Sequence, residues 1–395
     1  MYPEITREHR ELISKVREFG EEHFDYQNVS RWRRDAGLPD EVCQGFANLD
    51  FGKFNILDRG EDGSYDFFAQ VLVLEELARV SASTLPFPND FLNLQIMGEF
   101  ATTAQFERVY DHYRKDGRLM FALAISEPHG GSDTMNMHTN VTSERGTIIM
   151  SGQKTYVNNG EFAPYLLVAA IDKDAPRGKY PALSFWLVPT NLEGISVYPI
   201  KKIGQSMLPF SDVIFDGVKL DESFRLTGKM GGFPQLFHMF ELGRVFSCAT
   251  ALGLAQSAME DAAKYASERS AFGSSVSDFQ SIRQMLVDME VKLQNMRNCV
   301  YRAALTVDRK ETDKDSRLLV ALMKRYVPAT ATEVASDALQ IFGGRGYTYN
   351  ERVASVWKDC RGYQIAEGTD QIMVHIAAPL ILDKYTASIE EKTKG

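Results

Sequence analysis

FALAISEPHGGSD, residues 121–133, is a short apolar run that ends directly in a loop rich in glycine and serine. An apolar run bounded by turn residues is typical of a buried β-strand. The chain keeps this texture to about residue 220, with short apolar runs separated by turn dipeptides such as Asn159-Gly160 and Glu193-Gly194. Six short strands at this spacing predict a small β-barrel or sandwich. The six runs are 121–125, 147–150, 165–170, 183–188, 195–198 and 213–215.

The segments on both sides of this β-region have helical periodicity. Apolar residues recur at i, i+3, i+4 and i+7 in 12–19 and 67–78 before it, and in 282–300 and 318–326 after it. Long amphipathic helices of this kind build bundles, so the predicted fold class is α+β. The predicted domains are an all-helical domain at 1–117, a β-domain at 118–227 and a helical bundle at 228–395, with connecting loops at 58–64 and 86–88.

The composition excludes several classes of protein. Lys and Arg total 44 and Asp and Glu total 53 in 395 residues, so the formal net charge is −9. A nucleic-acid-binding surface needs a basic face, which this balance argues against. The longest apolar runs fall far short of the ~20 residues of a spanning helix, and the N-terminal sequence MYPEITREHR is too charged for a signal segment. The four scattered cysteines lack a C-x-x-C pair, so we expect free thiols in a cytoplasmic protein. From the charge balance and the short apolar runs we expect no nucleic-acid partner and no membrane insertion.

Taken one motif at a time, the residues leave the function open. No G-x-G-x-x-G or Walker loop is present, and the seven histidines have no metal-ligand spacing, so we expect no metal site. Gly131 and Ser132 could bring backbone N–H groups and a hydroxyl to a ligand, but such residues also form ordinary connecting loops. Gly343 has the character of a helix cap. Glu367 lies between two helical patterns, where most glutamates are solvated and inert.

Together and in this order, five motifs resemble those of the acyl-CoA dehydrogenase family. ISEP followed by GSD resembles the family's T/S-E-P-x-x-G-S-D loop, and IAEGTDQI resembles its closing I-x-E-G-T-x-x-I. The resemblance covers nearly the whole chain and implies the family architecture of a helical domain, a β-domain and a four-helix domain. The matching stretches are 125–133, 152–160, 265–280, 340–347 and 359–372.

The resemblance implies an FAD site that has no Rossmann fold and is shared between two subunits. The loop after the first strand and a second β-segment would hold the flavin ring. Arginine and glutamine of one chain, with 340–344 of its neighbour, would bind the diphosphate and adenosine part. A shared site makes a dimer obligatory, and the family is usually a homotetramer, a dimer of dimers. The implied FAD residues are Leu123, Ile125, Ser126, Gly131, Ser132, Tyr156, Val157, Asn158, Arg269, Phe272, Gln280, Gln340, Gly343, Gly344, Thr369 and Gln371.

The resemblance also assigns the chemistry. Glu367 would take the α-proton of an acyl-CoA as the general base, while the β-hydrogen leaves as a hydride to flavin N5. The Glu367 backbone N–H and a flavin ribityl hydroxyl would polarise the thioester carbonyl. Arg244 would lie beside the base, and electron-transfer flavoprotein would receive the electrons. The implied acyl-CoA contacts are Ser132, Glu241, Arg244, Ala366 and Gly368.

Several positions depart from the family pattern. Gly243 stands where some relatives carry the base, which leaves Glu367 as the candidate. Ala366 replaces a frequent tyrosine, and its small side chain predicts a wider pocket for a branched, cyclic or bulky acyl group. The other departures are Tyr156 and Asn158, in place of tryptophan and threonine at the flavin face, and the segment 50–64, which lacks the usual P-E-x-x-G-G.

Two enzymatic functions of one site, a less favoured relative of them and a non-catalytic function fit this pattern to different degrees. The favoured function is α,β-dehydrogenation of an acyl-CoA. The second uses the same site in reverse, as an enoyl-CoA reductase similar to the crotonobetainyl-CoA type. A nitroalkane-oxidase-like activity is less favoured, because that relative uses aspartate where this chain has Glu367. The third is a non-catalytic helical scaffold without flavin, against which the complete set Arg269, Gln280, Gly343 and Gly344 argues.

Overall fold

In the computed structural model, helices precede and follow a group of strands along the chain, and this order confirms the predicted fold class. The structure describes residues 5–49, 66–117, 121–176, 178, 180–226, 231–309 and 313–394, so the predicted loop at 58–64 and the segment 50–64 lie outside the described residues. The helices before the strands are α1 (Arg7–His23), α2 (Tyr26–Asp35), α3 (Asp40–Ala47), α4 (Phe67–Ser81), α5 (Phe87–Phe100) and α6 (Thr103–Asp116). Those after them are α7 (Gly232–Glu268), α8 (Gln280–Asp308), α9 (Lys314–Phe342), α10 (Val353–Tyr363) and α11 (Asp370–Lys394).

In the described part of the chain, seven strands form one mixed sheet with the order β1-β4-β2-β3-β7-β6, and β5 pairs with β4. β4 runs parallel to β1 and β2, and the other pairs are antiparallel. The strands are β1 (Ala122–Ala124), β2 (Asn140–Glu144), β3 (Thr147–Asn158), β4 (Tyr165–Asp172), β5 (Leu183–Pro189), β6 (Ile195–Ile200) and β7 (Phe210–Leu220). Strands β8 (Ser270–Ala271) and β9 (Ser274–Ser275) form a small hairpin between α7 and α8.

The chain forms two compact units. One, the helical unit, consists of Met1–Val29, Asp66–Thr84 and Phe240–Gly395; the other, the sheet unit, consists of Ser30–Tyr65 and Leu85–Met239. The helices of the predicted N-terminal domain are divided between these units, and the bounds of the three predicted domains stay predictions. Among the described residues, no helix combines the length and the apolar character that crossing a bilayer requires.

Each unit has a core that positions the residues discussed below. In the sheet unit, inward-facing side chains such as Val168, Trp186 and Phe215 form one buried cluster, and β3 crosses this sheet beside β2 and β7. In the helical unit, α9 packs against α8, α10 and α11. The face of α9 around residue 324 is therefore enclosed by protein, and the loop that joins α10 to α11 is partly buried.

Two details of the secondary structure differ from the prediction. The Pro86-Phe87-Pro88 stretch is not a loop, because α5 begins at Phe87 and Pro88 occupies its first turn. Proline fits there, since the first N–H groups of a helix have no intrahelical acceptor to lose. Strand β2 was missed because NVTSE, residues 140–144, has one strongly apolar residue.

Candidate active site

The loop 364–369 joins α10 to α11 and carries Glu367 in the left-handed region of backbone conformation. The φ angle of Glu367 is +55° and that of Gly368 is +93°. For a residue other than glycine this conformation costs of the order of 1–3 kcal/mol, and it persists where surrounding contacts over-determine it. Hydrogen bonds to the carbonyl groups of this loop supply that constraint.

Two buried cations hold these carbonyl groups. Lys324, on α9, donates from Nζ to the carbonyl oxygens of Tyr363 and Gly368, at 2.7 Å and 3.1 Å. Arg244, on α7, donates from Nε to the carbonyl oxygen of Glu367 at 3.2 Å. Both cationic side chains are buried. The backbone is therefore fixed from two helices, at Glu367 itself and at positions before and after it.

The Glu367 carboxylate lies directly against Gly243 on α7. A Cβ atom placed on Gly243 would be 2.6 Å from Oε2 and 2.9 Å from Cδ of Glu367. A side chain at position 243 would thus displace the carboxylate, and the glycine provides the space that it occupies. Among the described residues, no group hydrogen-bonds either carboxylate oxygen. Glu367 is partly buried, so the alternative of a fully solvated loop glutamate does not describe this residue.

Burial controls the proton affinity of this carboxylate. Loss of solvent raises the pKa of Glu367 above its usual 4.5, and the positive charges of Arg244 and Lys324 offset part of this rise. Both cations donate their hydrogen bonds to backbone carbonyls rather than to the carboxylate. Burial therefore raises the pKa of Glu367 by more than the two positive charges lower it. A carboxylate in this state is a stronger proton acceptor than a solvated one.

The other residues predicted around the base lie on the elements that flank the loop. Glu241 stands one turn before Arg244 on α7, and its Oε1 is 3.6 Å from Nε of Arg317. Thr369 directly precedes α11, and its hydroxyl accepts the N–H of Ile372 at 3.2 Å. Ala366 is partly buried. The helical unit thus brings Glu241, Arg244, Ala366, Glu367, Gly368 and Thr369 into one region.

In the sheet unit, the loop after β1 is bound to strand β3. Nζ of Lys154 donates to the carbonyl oxygen of Ile125 at 2.9 Å, and the N–H of Thr155 donates to the carbonyl oxygen of Ser126 at 2.9 Å. These bonds bring together the two segments that the resemblance assigned to the flavin ring. They are the loop residues Leu123, Ile125, Ser126, Gly131 and Ser132, and the strand residues Tyr156, Val157 and Asn158.

A buried ion pair locks this loop. Nζ of Lys154 donates to Oε1 of Glu127 at 2.8 Å, and the backbone N–H groups of His138 and Thr139 donate to the same carboxylate at 2.7 Å and 2.9 Å. Burial opposes the charged form of Glu127, but the ammonium and the N–H donors outweigh it and lower the pKa to about 2. Burial also lowers the pKa of Lys154, to about 8. Glu127 is therefore ionised at neutral pH, and its role is structural.

Strand β3 is irregular where the predicted flavin-facing residues lie. Its pairing with β7 shifts register between Lys154 and Val157, and Tyr156 has a φ of +56° with 58% of its surface exposed. Bulges of this kind often re-aim side chains beside active sites. Among the described residues, nothing hydrogen-bonds the buried Oδ1 of Asn158. An exposed aromatic ring beside a buried acceptor without a donor fits a planar, N–H-bearing group such as an isoalloxazine.

The residues assigned to the diphosphate lie at helix ends in the helical unit. Arg269 is exposed just after α7, and Gln280 begins α8, whose N-terminus has no side-chain cap and no acidic residue in its first turn. An exposed cation and an uncapped helix start are each suited to an anionic diphosphate. Gly343 ends α9, as predicted, and no described atom lies within 4 Å of a Cβ placed on it or on Gly344. The other assigned residues, Phe272, Gln340 and Gln371, are exposed.

Sequence reasoning missed the two buried lysines and gave Glu127 no role of its own. Lys324 lies three or four positions from Val320, Ala321 and Val327, which are all buried. A lysine in the middle of an apolar helical face is a signal that could have found it, because unpaired lysines are rarely buried. Lys154 lies in a strand whose neighbours give no such pattern.

Three domain profiles match the chain, all from one family. They are the acyl-CoA dehydrogenase N-terminal domain at residues 6–115, the middle domain at 122–218 and the C-terminal domain at 230–382. Together they span most of the sequence, in the order of the helical, β and helical segments. The chain belongs to the acyl-CoA dehydrogenase family and is an oxidoreductase that acts on CH–CH groups.

Individual relatives agree with this class. The chain is 32% identical over 381 residues to the probable acyl-CoA dehydrogenase YdiO of Escherichia coli strain K12, covering 96% of this chain and 98% of that protein. A solved acyl-CoA dehydrogenase from Slackia heliotrinireducens is 53% identical, with a TM-score of 0.89 and coverage of 98% and 99%. The butyryl-CoA dehydrogenase of Megasphaera elsdenii is 26% identical, with a TM-score of 0.85 and coverage of 97% and 100%.

Proposed function

We propose that this protein is an FAD-dependent acyl-CoA dehydrogenase in which Glu367 is the general base. The observation that carries the proposal is the environment of one carboxylate. It is packed on Gly243, has no described hydrogen-bond donor and has a pKa raised by burial. An α-proton next to a thioester is only weakly acidic, so its removal needs a carboxylate that is not stabilised by donors.

The backbone N–H of Glu367 is a second group that could take part in the reaction. No described acceptor takes the N–H of Glu367, although the N–H groups of Ala366 and Asp370 in the same loop are bonded to Gly362 and Gln364. A free N–H beside the base is suited to the thioester oxygen, where negative charge develops as the proton leaves. Glu367 would then hold the proton while its own backbone polarises the carbonyl.

FAD would be held by the residues that the sequence assigned to it. Bound FAD supplies the acceptor to which the β-hydrogen leaves as a hydride. Asn158 and the loop at 125–132 would orient the flavin ring, and Arg269 with the start of α8 would bind the diphosphate. Because 340–344 would serve the neighbouring chain, we propose a homotetramer built from dimers. We also propose a cytoplasmic location and electron-transfer flavoprotein as the electron acceptor.

The acyl group would be branched, cyclic or bulky. Ala366, directly before the base, removes the ring that a tyrosine would place beside the acyl chain. The remaining acyl-CoA contacts proposed are Ser132, Glu241, Arg244 and Gly368. A panel of acyl-CoA esters tested anaerobically by loss of flavin absorbance would rank the chains, and exclusive activity on short straight chains would contradict this assignment.

The base is tested by Glu367→Gln, which keeps the size of the side chain and removes its proton affinity. We expect the rate of flavin reduction by acyl-CoA to fall by about 10²- to 10⁴-fold under anaerobic conditions. Glu333→Gln, at an exposed carboxylate on α9, is the matched control and should reduce flavin at the parent rate. Near-parent reduction by Glu367→Gln would show that the base is another group.

The second candidate is an enoyl-CoA reductase that uses the same site in reverse. It is favoured by the raised pKa of Glu367, because a reductase needs this carboxyl in its protonated form to return the α-proton. The rate at which the reduced enzyme is reoxidised by each acceptor distinguishes the reductase from the dehydrogenase. Faster reoxidation by an enoyl-CoA than by electron-transfer flavoprotein would favour the reductase.

A further inference from the structure

Lys324 makes contacts that differ from those of an ordinary buried ion pair. Its side chain is 0% exposed, and its described hydrogen bonds go to two backbone carbonyls, those of Tyr363 and Gly368. These two residues bracket Glu367 in sequence. We propose that Lys324 is a positioning residue for the base, which holds the 364–369 loop so that the Glu367 carboxylate stays against Gly243. This inference rests on the proposed role of Glu367.

The free-energy cost of burying the ammonium group supports a positioning role. An ammonium group is expensive to bury, and a lysine without a bonded carboxylate is not compensated as an ion pair would be. The adjacent positions of this helical face, Val320, Ala321 and Val327, are apolar and buried. An apolar residue at 324 would continue that face at lower cost, so packing alone does not account for the lysine.

The backbone conformation of the loop explains what the lysine does. Glu367 and Gly368 both have positive φ, and for Glu367 this is a strained state. Lys324 and Arg244 bond three carbonyls of this segment, which over-determines the strained backbone. Without the ammonium, the carbonyls of Tyr363 and Gly368 lose their donor and the turn can relax. The carboxylate would then leave its place on Gly243.

The charge of Lys324 has a second, separable effect. The charged and titratable groups that face its ammonium are Cys248 and Arg244 on α7, Glu367 in the loop and Asp370 at the start of α11. Arg244 and Lys324 are the two cations that face Glu367, and both lower its pKa against the effect of burial. Removal of one cation therefore raises the pKa of the base.

Two substitutions of Lys324 distinguish its effect on the position of the loop from the effect of its charge on the pKa of Glu367. Lys324→Met removes both the donor and the charge, whereas Lys324→Gln keeps an N–H donor and removes only the charge. Val327→Ala, one turn along the same buried face, is the control for a packing defect in α9. The readouts are amide hydrogen exchange of the loop, flavin reduction by acyl-CoA and the acid limb of its pH profile.

We expect Lys324→Met to reduce flavin about 10²-fold more slowly, because a small displacement of a catalytic group has this effect. The amides of Ala366 and Asp370 should exchange faster in this variant. Lys324→Gln should keep slow exchange but move the acid limb upward by about one pH unit. Val327→Ala should leave the exchange of the loop and the acid limb at their parent values.

A folded Lys324→Met variant with parent exchange and parent flavin reduction would overturn the proposal. If that variant does not fold, Lys324→Gln decides. Rapid exchange of the Ala366 and Asp370 amides in this variant would contradict a loop that is held by a donor at position 324, and a parent acid limb would contradict a role for the charge of Lys324. Failure of the proposed function is distinguished by Glu367→Gln. If Glu367→Gln still reduces flavin, Glu367 is not the base, and the exchange data alone then show whether Lys324 holds the loop.

Discussion

The sheet unit and the helical unit each bury a lysine near a glutamate, but the pKa values of the two glutamates are shifted in opposite directions. Lys154 and Lys324 are both 0% exposed. Lys154 bonds the Glu127 carboxylate itself, whereas Lys324 bonds the carbonyls before and after Glu367. The pKa of Glu127 falls to about 2, and the pKa of Glu367 rises. The same pair of residue types thus produces a fixed anion in one unit and a proton acceptor in the other.

The difference lies in where the cation makes its hydrogen bonds. A donor on a carboxylate oxygen stabilises the ionised form directly, and Glu127 has three such donors. A cation that binds neighbouring carbonyls fixes the backbone but leaves the carboxylate oxygens without donors. Loss of solvent then decides the pKa. A buried lysine beside a glutamate therefore indicates a general base only where the carboxylate itself is left unbonded.

The largest effect is expected from Lys154→Met. It leaves the Glu127 carboxylate buried without its counterion, which should lower the free energy of unfolding by about 3–5 kcal/mol. Urea unfolding measures this loss, with Lys219→Met at an exposed position of β7 as the control. The double variant with Glu127→Gln should recover part of the stability. An unchanged stability of Lys154→Met would mean that the pair does not lock the loop.

Acid should destabilise the protein through Glu127. Its pKa is depressed in the folded state, so the stability that it contributes is complete above pH 4.5 and is lost as the pH falls toward about 2. The loss amounts to at most about 3 kcal/mol. The measurement is the difference in unfolding free energy between the parent and Glu127→Gln across this range. A difference that does not change with pH would contradict the low pKa.

Gly243→Ala should damage the base without damaging the fold. The new Cβ would meet the end of a flexible side chain, so the carboxylate moves and the backbone does not. We expect flavin reduction to slow by about 10²-fold, equivalent to about 2.7 kcal/mol, with a near-parent melting temperature. Gly231→Ala, where no described atom lies within 4 Å of the added Cβ, is the matched control. Equal rates for the two variants would contradict the placement of the carboxylate.

The smallest effect is expected from Ala366→Tyr, which restores a ring beside the acyl chain. It should lower kcat/KM for a branched or cyclic acyl-CoA relative to a straight chain by roughly tenfold, about 1.4 kcal/mol. Both substrates are measured on the same preparation, so the ratio is independent of flavin content. A ratio equal to that of the parent would show that position 366 does not shape the pocket.

Much of this arrangement could be predicted from the sequence. The apolar runs located six of the strands, and the helical periodicity located α8 and α9. The motifs singled out Glu367 and Gly243 together. The positive φ of Glu367 could not be predicted, because no glycine marks it and contacts from α7 and α9 impose it. The role of Glu127 was hidden for a similar reason, since its partner Lys154 is 27 positions away.

The most direct measurement is a titration of the two carboxylates by infrared difference spectroscopy. Subtracting the spectra of Glu367→Gln and Glu127→Gln from that of the parent assigns each carboxyl band. We expect Glu367 to protonate above pH 4.5 and Glu127 to stay ionised well below it. Protonation of Glu367 at or below pH 4.5 would contradict the claim that burial, unopposed at the carboxylate, makes this side chain a base.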